Sequence, residues 1–338
     1  MKALFIGGTG TISTSITRLL SAQGVELTLL NRGSHPVNLP HVRTLSCDIR
    51  NLDQARSVLA DESFDVVCDF ICFTPDHARA DLELFKKRTQ QFIFISSASA
   101  YRKPNPGLRV RESTPLLNPY WRYSRDKAEC ERLFLDAFEK DGFPITIVRP
   151  SHTFSDSGLP VPVHGNRGAW AVVRRMLQGK PIPVPGDGES VWAVLPSDEF
   201  ARAFVGLMGN PAAVGEAIQI TGEELLTWNQ ILRTEAAAFG GTYVPLYVPS
   251  VLLAACHTYD FYGALLGDKS NTVLFDNRKL HQLVPGYRQE EMFHHAMERT
   301  AARLKKEPEL LCEDPEFDAF CDALERIMDT ARTAVEAL

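Results

Sequence analysis

The chain of 338 residues carries 36 lysines and arginines against 42 aspartates and glutamates, a formal net charge of −6. That balance argues against a nucleic-acid surface, which needs a basic face. Hydrophobic residues at 44% and charged residues at 23% are the proportions of a globular protein, and the length suits one large α/β domain with a smaller lobe.

The first element is Ala3–Ile6, an uncharged apolar run of strand length. Gly7-Gly8-Thr9-Gly10 follows as a turn almost without side-chain bulk, and Ile12, Ile16, Leu19 and Leu20 continue at helical spacing until Gly24. Strand, glycine turn and helix form the opening of a dinucleotide-binding unit, in which free N–H groups of the helix N-terminus meet the pyrophosphate. Gly7, Thr9, Gly10, Thr11 and Ile12 are therefore candidate cofactor-binding residues, and Ser13 stands where a third glycine is usual. The apolar run is too short for a signal peptide. Seven cysteines without regular spacing point to reduced thiols and a cytoplasmic protein. Cys68-x-x-x-Cys72 lies in an apolar strand run, and no metal site is assigned to it.

A second strand, Glu26–Leu30, ends in Asn31-Arg32-Gly33, with Ser34 just beyond. An acidic residue at this strand end would accept from both adenosine ribose hydroxyls and repel a 2′-phosphate. Arg32 instead offers a guanidinium fork that suits phosphate, so NADP is favoured with NAD possible. The alternative for Arg32 is a solvated loop position. Strand Val42–Ser46 leads to Asp48, placed to meet the adenine amino group, and helix Leu52–Leu59 leads to strand Asp65–Phe70. Helix Pro75–Phe85 and strand Gln91–Ile95 complete an alternation that predicts a parallel, doubly wound sheet.

The fifth strand runs into Ser96-Ser97-Ala98-Ser99-Ala100-Tyr101. After a proline-rich loop comes Tyr123-x-x-x-Lys127, opening a helix whose apolar face continues through Leu133, Phe134 and Phe138. Residues four apart share a helix face. An ammonium beside a phenol lowers its pKa, which predicts proton exchange between Tyr123 and a substrate oxygen near neutral pH.

Gly loop, Ser-Ser after the fifth strand and Tyr-x-x-x-Lys, in that order, make the chain resemble an extended, epimerase-like short-chain dehydrogenase/reductase of the NAD(P)-dependent epimerase/dehydratase group. The resemblance covers most of the chain and weakens after about Leu253. It implies Tyr123 as catalytic acid/base, Lys127 as the residue that tunes it and holds the nicotinamide ribose, and Ser97 as the catalytic serine. It further implies Ser99 and Tyr101 beside the substrate, Ile49 near the adenine, and Pro150 and His152 beside the nicotinamide. Ser99 stands where sugar dehydratases carry an acid, which argues against water elimination. Phe70-Ile71-Cys72-Phe73 is bulkier than the small residues the family usually has there, with Phe70 as a cofactor wall. His152 reads equally as a second acid/base, a substrate contact or a structural hydrogen-bonder.

Strand Ile145–Val148 closes a dinucleotide-binding domain over residues 1–150. Residues 151–306 read as a substrate lobe interleaved with returning sheet segments, and 307–338 as a helical extension. In the lobe, Trp170–Leu177 is a helix with Arg174 and Arg175, Pro181–Gly188 a loop–hairpin signal, and Val191–Leu195 a strand. Ser197 is expected to cap helix Phe200–Met208, and Thr227 to cap Trp228–Phe239. The apolar stretch 244–267 is broken by Pro245, Pro249, His257 and Asp260, so it reads as core or interface helix and not a membrane span. By resemblance, Arg278 is a candidate ligand of a substrate diphosphate. Phe317, Phe320, Leu324, Ile327 and Met328 form an apolar stripe in the tail.

Three functions are consistent with these residues: epimerisation of a nucleotide sugar or similar polyol through a transient ketone; net reduction or oxidation of a small carbonyl or alcohol substrate with NADP; and a non-catalytic or RNA-associated dinucleotide-binding protein, since chloroplast stem-loop-binding proteins share the Gly loop and the Asn-Arg-Gly region. The partners expected are a small-molecule substrate and, by resemblance, a second copy in a homodimer, with no nucleic acid and no membrane.

Overall fold

The computed structural model describes residues 1–33, 37–107, 109–155, 158–307 and 310–338. Its first half alternates β1 (Lys2–Ile6), α1 (Ser13–Ala22), β2 (Glu26–Asn31), β3 (Val42–Ser46), α2 (Leu52–Val58), β4 (Phe64–Asp69), α3 (Pro75–Phe85), β5 (Thr89–Ile95), α4 (Arg122–Asp141) and β6 (Ile145–Pro150). The second half contains β7 (His152–Phe154), α5 (Trp170–Leu177), β8 (Ile182–Pro185), β9 (Val191–Trp192), β10 (Val194–Pro196), α6 (Ser197–Val205) and β11 (Ala217–Ile220). It ends with β12 (Leu226–Thr227), α7 (Trp228–Phe239), β13 (Pro245–Val248), α8 (Ser250–Ala254), α9 (Tyr262–Ala264), α10 (Arg278–Leu283), α11 (Phe293–Leu304) and α12 (Pro315–Glu336).

Seven strands form one parallel sheet in the order β11-β6-β5-β4-β1-β2-β3. This is the doubly wound Rossmann-type architecture that the alternation predicts. Because successive strand residues face opposite sides, Ala3 and Phe5 join the core under α1 and α6, while Leu4 and Ile6 join the core under α3 and α4. Both faces are covered, which is why the inner strands are apolar without alternation; the edge strand β3 is half exposed. Asn51 and Thr74 cap α2 and α3 through their side-chain oxygens. Gly142, in the left-handed region at φ +67°, ends α4.

The second half departs from expectation in several places. Residues 182–185 form a strand paired in parallel with β13, so the two prolines sit in a two-stranded edge and not in a hairpin loop. The expected strand 191–195 is two strands with different partners, β12 for β9 and β7 for β10. The stretch 244–267 is no single helix: its prolines break it into β13, α8 and α9. Ser197 begins α6 without capping it; its hydroxyl pairs with Ser15, 2.8 Å away on α1. Thr227 does cap α7, in a reciprocal arrangement with Gln230. Arg174 and Arg175 contact α12 and its approach: Arg174 pairs with Glu313, and the buried Arg175 reaches Asp318 and Asp322, each at 2.6 Å. Phe317 and Leu324 bury the tail stripe, whereas Ile327 is exposed. No helix among the described residues is long and apolar enough to cross a membrane.

Under the sheet, Asp69, Cys72 and Asp81 bring potential ligand atoms within 4.8 Å of one another. Burial, then the neighbouring Asp69, pushes the Asp81 carboxyl well up.

On α7, Glu235 is fully buried with both carboxyl oxygens unpartnered among the described residues, and burial pushes it up to about 8. In the unfolded chain it ionises near pH ~4.3. From that pH upward the unfolded state releases a proton that the folded state keeps until about pH 8, so stability falls with rising pH across this window, by at most ~1.4 kcal/mol per unit. Glu235→Gln is expected to remove that slope, read from urea midpoints at the two ends of the window. An unchanged slope would mean that Glu235 is not the group responsible.

Candidate active site

The glycine turn sits at the carboxyl end of β1. Gly7 adopts φ +83°, and a Cβ there would lie 2.6 Å from Ile71 Cγ2, so no side chain fits. Ser13 closes the turn from the helix side: its hydroxyl donates to the Gly7 carbonyl at 2.8 Å and accepts from the Gly10 amide at 2.9 Å. Thr17 donates to the Gly8 carbonyl at 3.0 Å. Serine at the usual glycine position thus braces the turn with hydrogen bonds.

A cleft of about 420 Å³ opens beside this turn. Gly7, Thr9, Gly10, Asn31, Arg32, Asp48 and Ile49 line it, as the sequence predicts, together with Arg50, Ile71, Phe73 and His77. Asn31 Nδ2 and Arg50 Nη1 are buried there without a partner among the described residues. Two orphaned donors at the strand ends that meet a ribose, beside an open glycine turn, fit a dinucleotide. Arg32 is exposed and makes no hydrogen bond or ion pair with a described residue; Ser34 lies outside the described residues. Thr11 lines a separate cleft behind the turn, with Arg18 and Asp198. Ile12 packs its side chain on the core. Phe70 is a correction: its half-buried ring packs against the core, 5.1 Å from that of Phe5 and 5.9 Å from that of Phe204, and Ile71 and Phe73 supply the cleft wall.

A second cavity, of about 390 Å³, lies at the carboxyl ends of β5 and β6. Ser97, Ser99, Tyr123, Pro150 and His152 line it, so residues from three separate segments meet. Of the serine pair, Ser96 turns away to Glu131, and Ser97 faces the cavity. Ser99 stands behind Ser97, 2.9 Å from its hydroxyl and 2.8 Å from that of Ser124. The Tyr123 ring lies 6.5 Å from Phe73 of the cleft, where the two spaces adjoin. Lys127 is 1% exposed; its ammonium donates to the carbonyls of Cys72 at 2.7 Å and Ile95 at 2.6 Å, under the rings of Phe73 and Phe94.

The expected lowering of the Tyr123 pKa does not occur in the protein alone. Burial pushes the phenol up to about 12, opposed only in part by the Ser97 hydroxyl. Lys127 sits 5.7 Å from the Tyr123 ring centroid with two of its three protons committed to carbonyls, and burial lowers its own pKa. His152, packed edge-on against Trp192, is pushed down to about 3 by burial and then by the Lys269 charge, so its ring is neutral.

Two substrate assignments fail. Tyr101 is fully buried, its hydroxyl 3.0 Å from Gln219 Oε1 and 3.0 Å from Arg149 Nη1, with no face on the cavity. Arg278 is exposed and bound by Asp276 at 2.7 Å, outside the cavity that Phe275 lines. Conversely, Trp121, His164, Trp192, Asp268 and Lys269 line the cavity without a sequence signal.

Comparison with known proteins gives concordant results. The profile of the NAD dependent epimerase/dehydratase family matches residues 3–221. The chain is 28% identical over 253 residues to the chloroplast stem-loop binding protein of 41 kDa b of Arabidopsis thaliana, covering 71% of this chain and 63% of that protein. It is 24% identical to 2′-dehydrokanamycin reductase of Streptomyces kanamyceticus, covering 74% of this chain and 70% of that one. In structure it resembles the UDP-glucose 4-epimerase of Bifidobacterium longum, solved with NAD+ and UDP. The TM-score is 0.72 at 18% identity, over 91% of this chain and 99% of that chain.

If Arg32 meets a 2′-phosphate, Arg32→Asp should weaken NADP binding by about tenfold or more while sparing NAD, measured by titration calorimetry. Equal losses for both would assign Arg32 a structural role.

Proposed function

The chain belongs to the NAD dependent epimerase/dehydratase family, and from that premise we propose that it catalyses NAD(P)-dependent hydride chemistry at a secondary alcohol or ketone carbon of a sugar-like substrate, epimerising it through a transient ketone. The observation that carries this reading is the cavity wall shared by Ser97 and Tyr123, which adjoins the glycine cleft at Phe73. Gly7, Thr9, Gly10, Asn31, Asp48 and Arg50 would hold the dinucleotide, with Arg32 favouring NADP. When bound, its nicotinamide supplies the acceptor and donor of hydride.

In this reading Ser97 donates a hydrogen bond to the reacting oxygen and fixes it beside the phenol. Tyr123 takes the hydroxyl proton as the ketone forms and returns it as the alcohol re-forms. Lys127, held in place by two carbonyls, fixes the helix that carries the phenol against the strand ends. Ser99 and Ser124 extend the hydroxyl relay behind Ser97 and orient its proton. No carboxyl group stands at Ser99, so elimination of water lacks its acid/base partner. Turning a planar ketone over needs space, and apolar walls from Trp121, Val273 and Phe275 leave it unbound on its faces.

Net ketone reduction is the second reading, and two observations favour it. With its pKa pushed up to about 12, Tyr123 is proton-loaded at neutral pH, the state that delivers a proton to a ketone oxygen. Arg278, the expected diphosphate ligand, lies outside the cavity. RNA association, suggested by the stem-loop binding relative, finds no support in the net charge of −6.

Incubation with nucleotide sugars should interconvert epimers without net change in nicotinamide absorbance; stoichiometric consumption of NADPH with a ketone would establish the reductase instead. Tyr123→Phe is expected to lower turnover by about 10²-fold or more with dinucleotide binding retained. Undiminished turnover in that variant would sink both readings.

A further inference from the structure

Asp268 and Lys269 are adjacent and both line the cavity, yet among the described residues only the acid has an ion-pair partner. Lys103, whose ammonium is 1% exposed, lies 3.7 Å from Asp268 Oδ1. Among the described residues no carboxylate pairs with Lys269. Its ammonium donates to the carbonyls of Val161 at 3.3 Å and Pro162 at 3.2 Å, both long for such bonds. An ammonium has three donors, so one remains.

The position of Lys269 is fixed independently of its charge. It ends a π-helical turn, Leu265–Lys269, a geometry frequent at functional sites. Its carbonyl accepts from the indole of Trp228 at 2.8 Å, and that ring is itself fully buried. The neighbouring rings add no positive charge. His152 is neutral, and His164 donates through Nδ1 to the Gly165 carbonyl at 2.8 Å, leaving Nε2 an acceptor. With Arg278 outside, Lys269 is the one cationic side chain among the described residues lining the cavity.

We propose that Lys269 anchors an anionic group of the substrate, a carboxylate or a phosphoryl oxygen, so that the cavity selects acidic sugar-like molecules. This rests on the reading of the cavity as the substrate site. Lys269 supplies a preplaced charge whose neighbouring acid, Asp268, is paired with Lys103 at 3.7 Å, and a substrate anion takes the remaining donor. Burial also pushes Lys269 down to about 8, a cost that a bound anion offsets.

The test titrates the full-length protein with glucose, glucuronate and glucose 6-phosphate at constant ionic strength, following the emission of Trp121 and Trp192 in the cavity wall. At least one of the two anions is expected to bind about tenfold or more tighter than glucose, and which of them does so separates carboxylate from phosphoryl recognition. Lys269→Met should bring that ratio close to one, and Lys269→Arg should keep most of it. Equal binding of all three sugars by the native protein, no binding of either anion, or a preference that survives Lys269→Met would each overturn the proposal. The native comparison stands even if the methionine variant does not fold. Repeating it with Tyr123→Phe separates the two ideas. Failure of the hydride reading leaves the anion preference intact, whereas failure of the Lys269 proposal leaves the effect of Tyr123 on turnover intact.

Discussion

A buried ammonium has to be surrounded by acceptors, and Lys127 meets that requirement with two backbone carbonyls from different segments. One is Cys72, just beyond β4; the other is Ile95, the last residue of β5. Holding both from α4 fixes the ends of two neighbouring strands relative to the helix that carries Tyr123. Phe73 and Phe94 close over the charge at 4.9 Å each, adding cation–π attraction and excluding water. Below them, Glu131 and Arg149 form a buried ion pair that also takes Ser96 and the Tyr101 hydroxyl. Ser96 and Tyr101 are therefore committed to the floor, and Ser97 is the serine left facing the cavity. The geometry of the site follows from how these charges are neutralised.

The sheet was legible in the sequence because inner parallel strands are buried on both faces and so appear as uninterrupted apolar runs. The glycine turn was legible because Gly7 requires a backbone angle and a clearance that other residues lack. Side-chain direction was not legible. Phe70 and Ile71 are adjacent just beyond β4, yet the first packs against the core and the second lines the cleft. Tyr101 and Arg278 were assigned by position along the chain, but Arg149 captures the first and Asp276 the second. The cavity wall from the second half was hidden for another reason. Trp192, His164 and Lys269 come from short strands, loops and a π-helical turn that share no periodicity.

The second half shares an apolar core with the first and adds polar contacts at helix ends. Ser15 and Ser197 join α1 to α6 at 2.8 Å inside the protein. Arg175, buried on α5, reaches Asp318 and Asp322 of α12 through Nη1 and the Pro181 carbonyl through Nε, while Nη2 has no partner among the described residues, so the C-terminal helix supplies the acids that balance its charge. Removing those acids would leave a charge stranded in an apolar core. Trp228 links the same lobe to the cavity: it packs 5.0 Å from Trp192 and holds the carbonyl of Lys269.

The most direct measurement is to denature the purified protein, identify any released dinucleotide by mass spectrometry, and titrate the stripped protein with NADH and NADPH. A dinucleotide released in stoichiometric amount, or reversible saturable binding of one, is the result that the cleft between the glycine turn, Asn31 and Arg50 requires. A protein that releases none and binds neither would contradict it, leaving the glycine turn as scaffold and the cavity without its hydride partner.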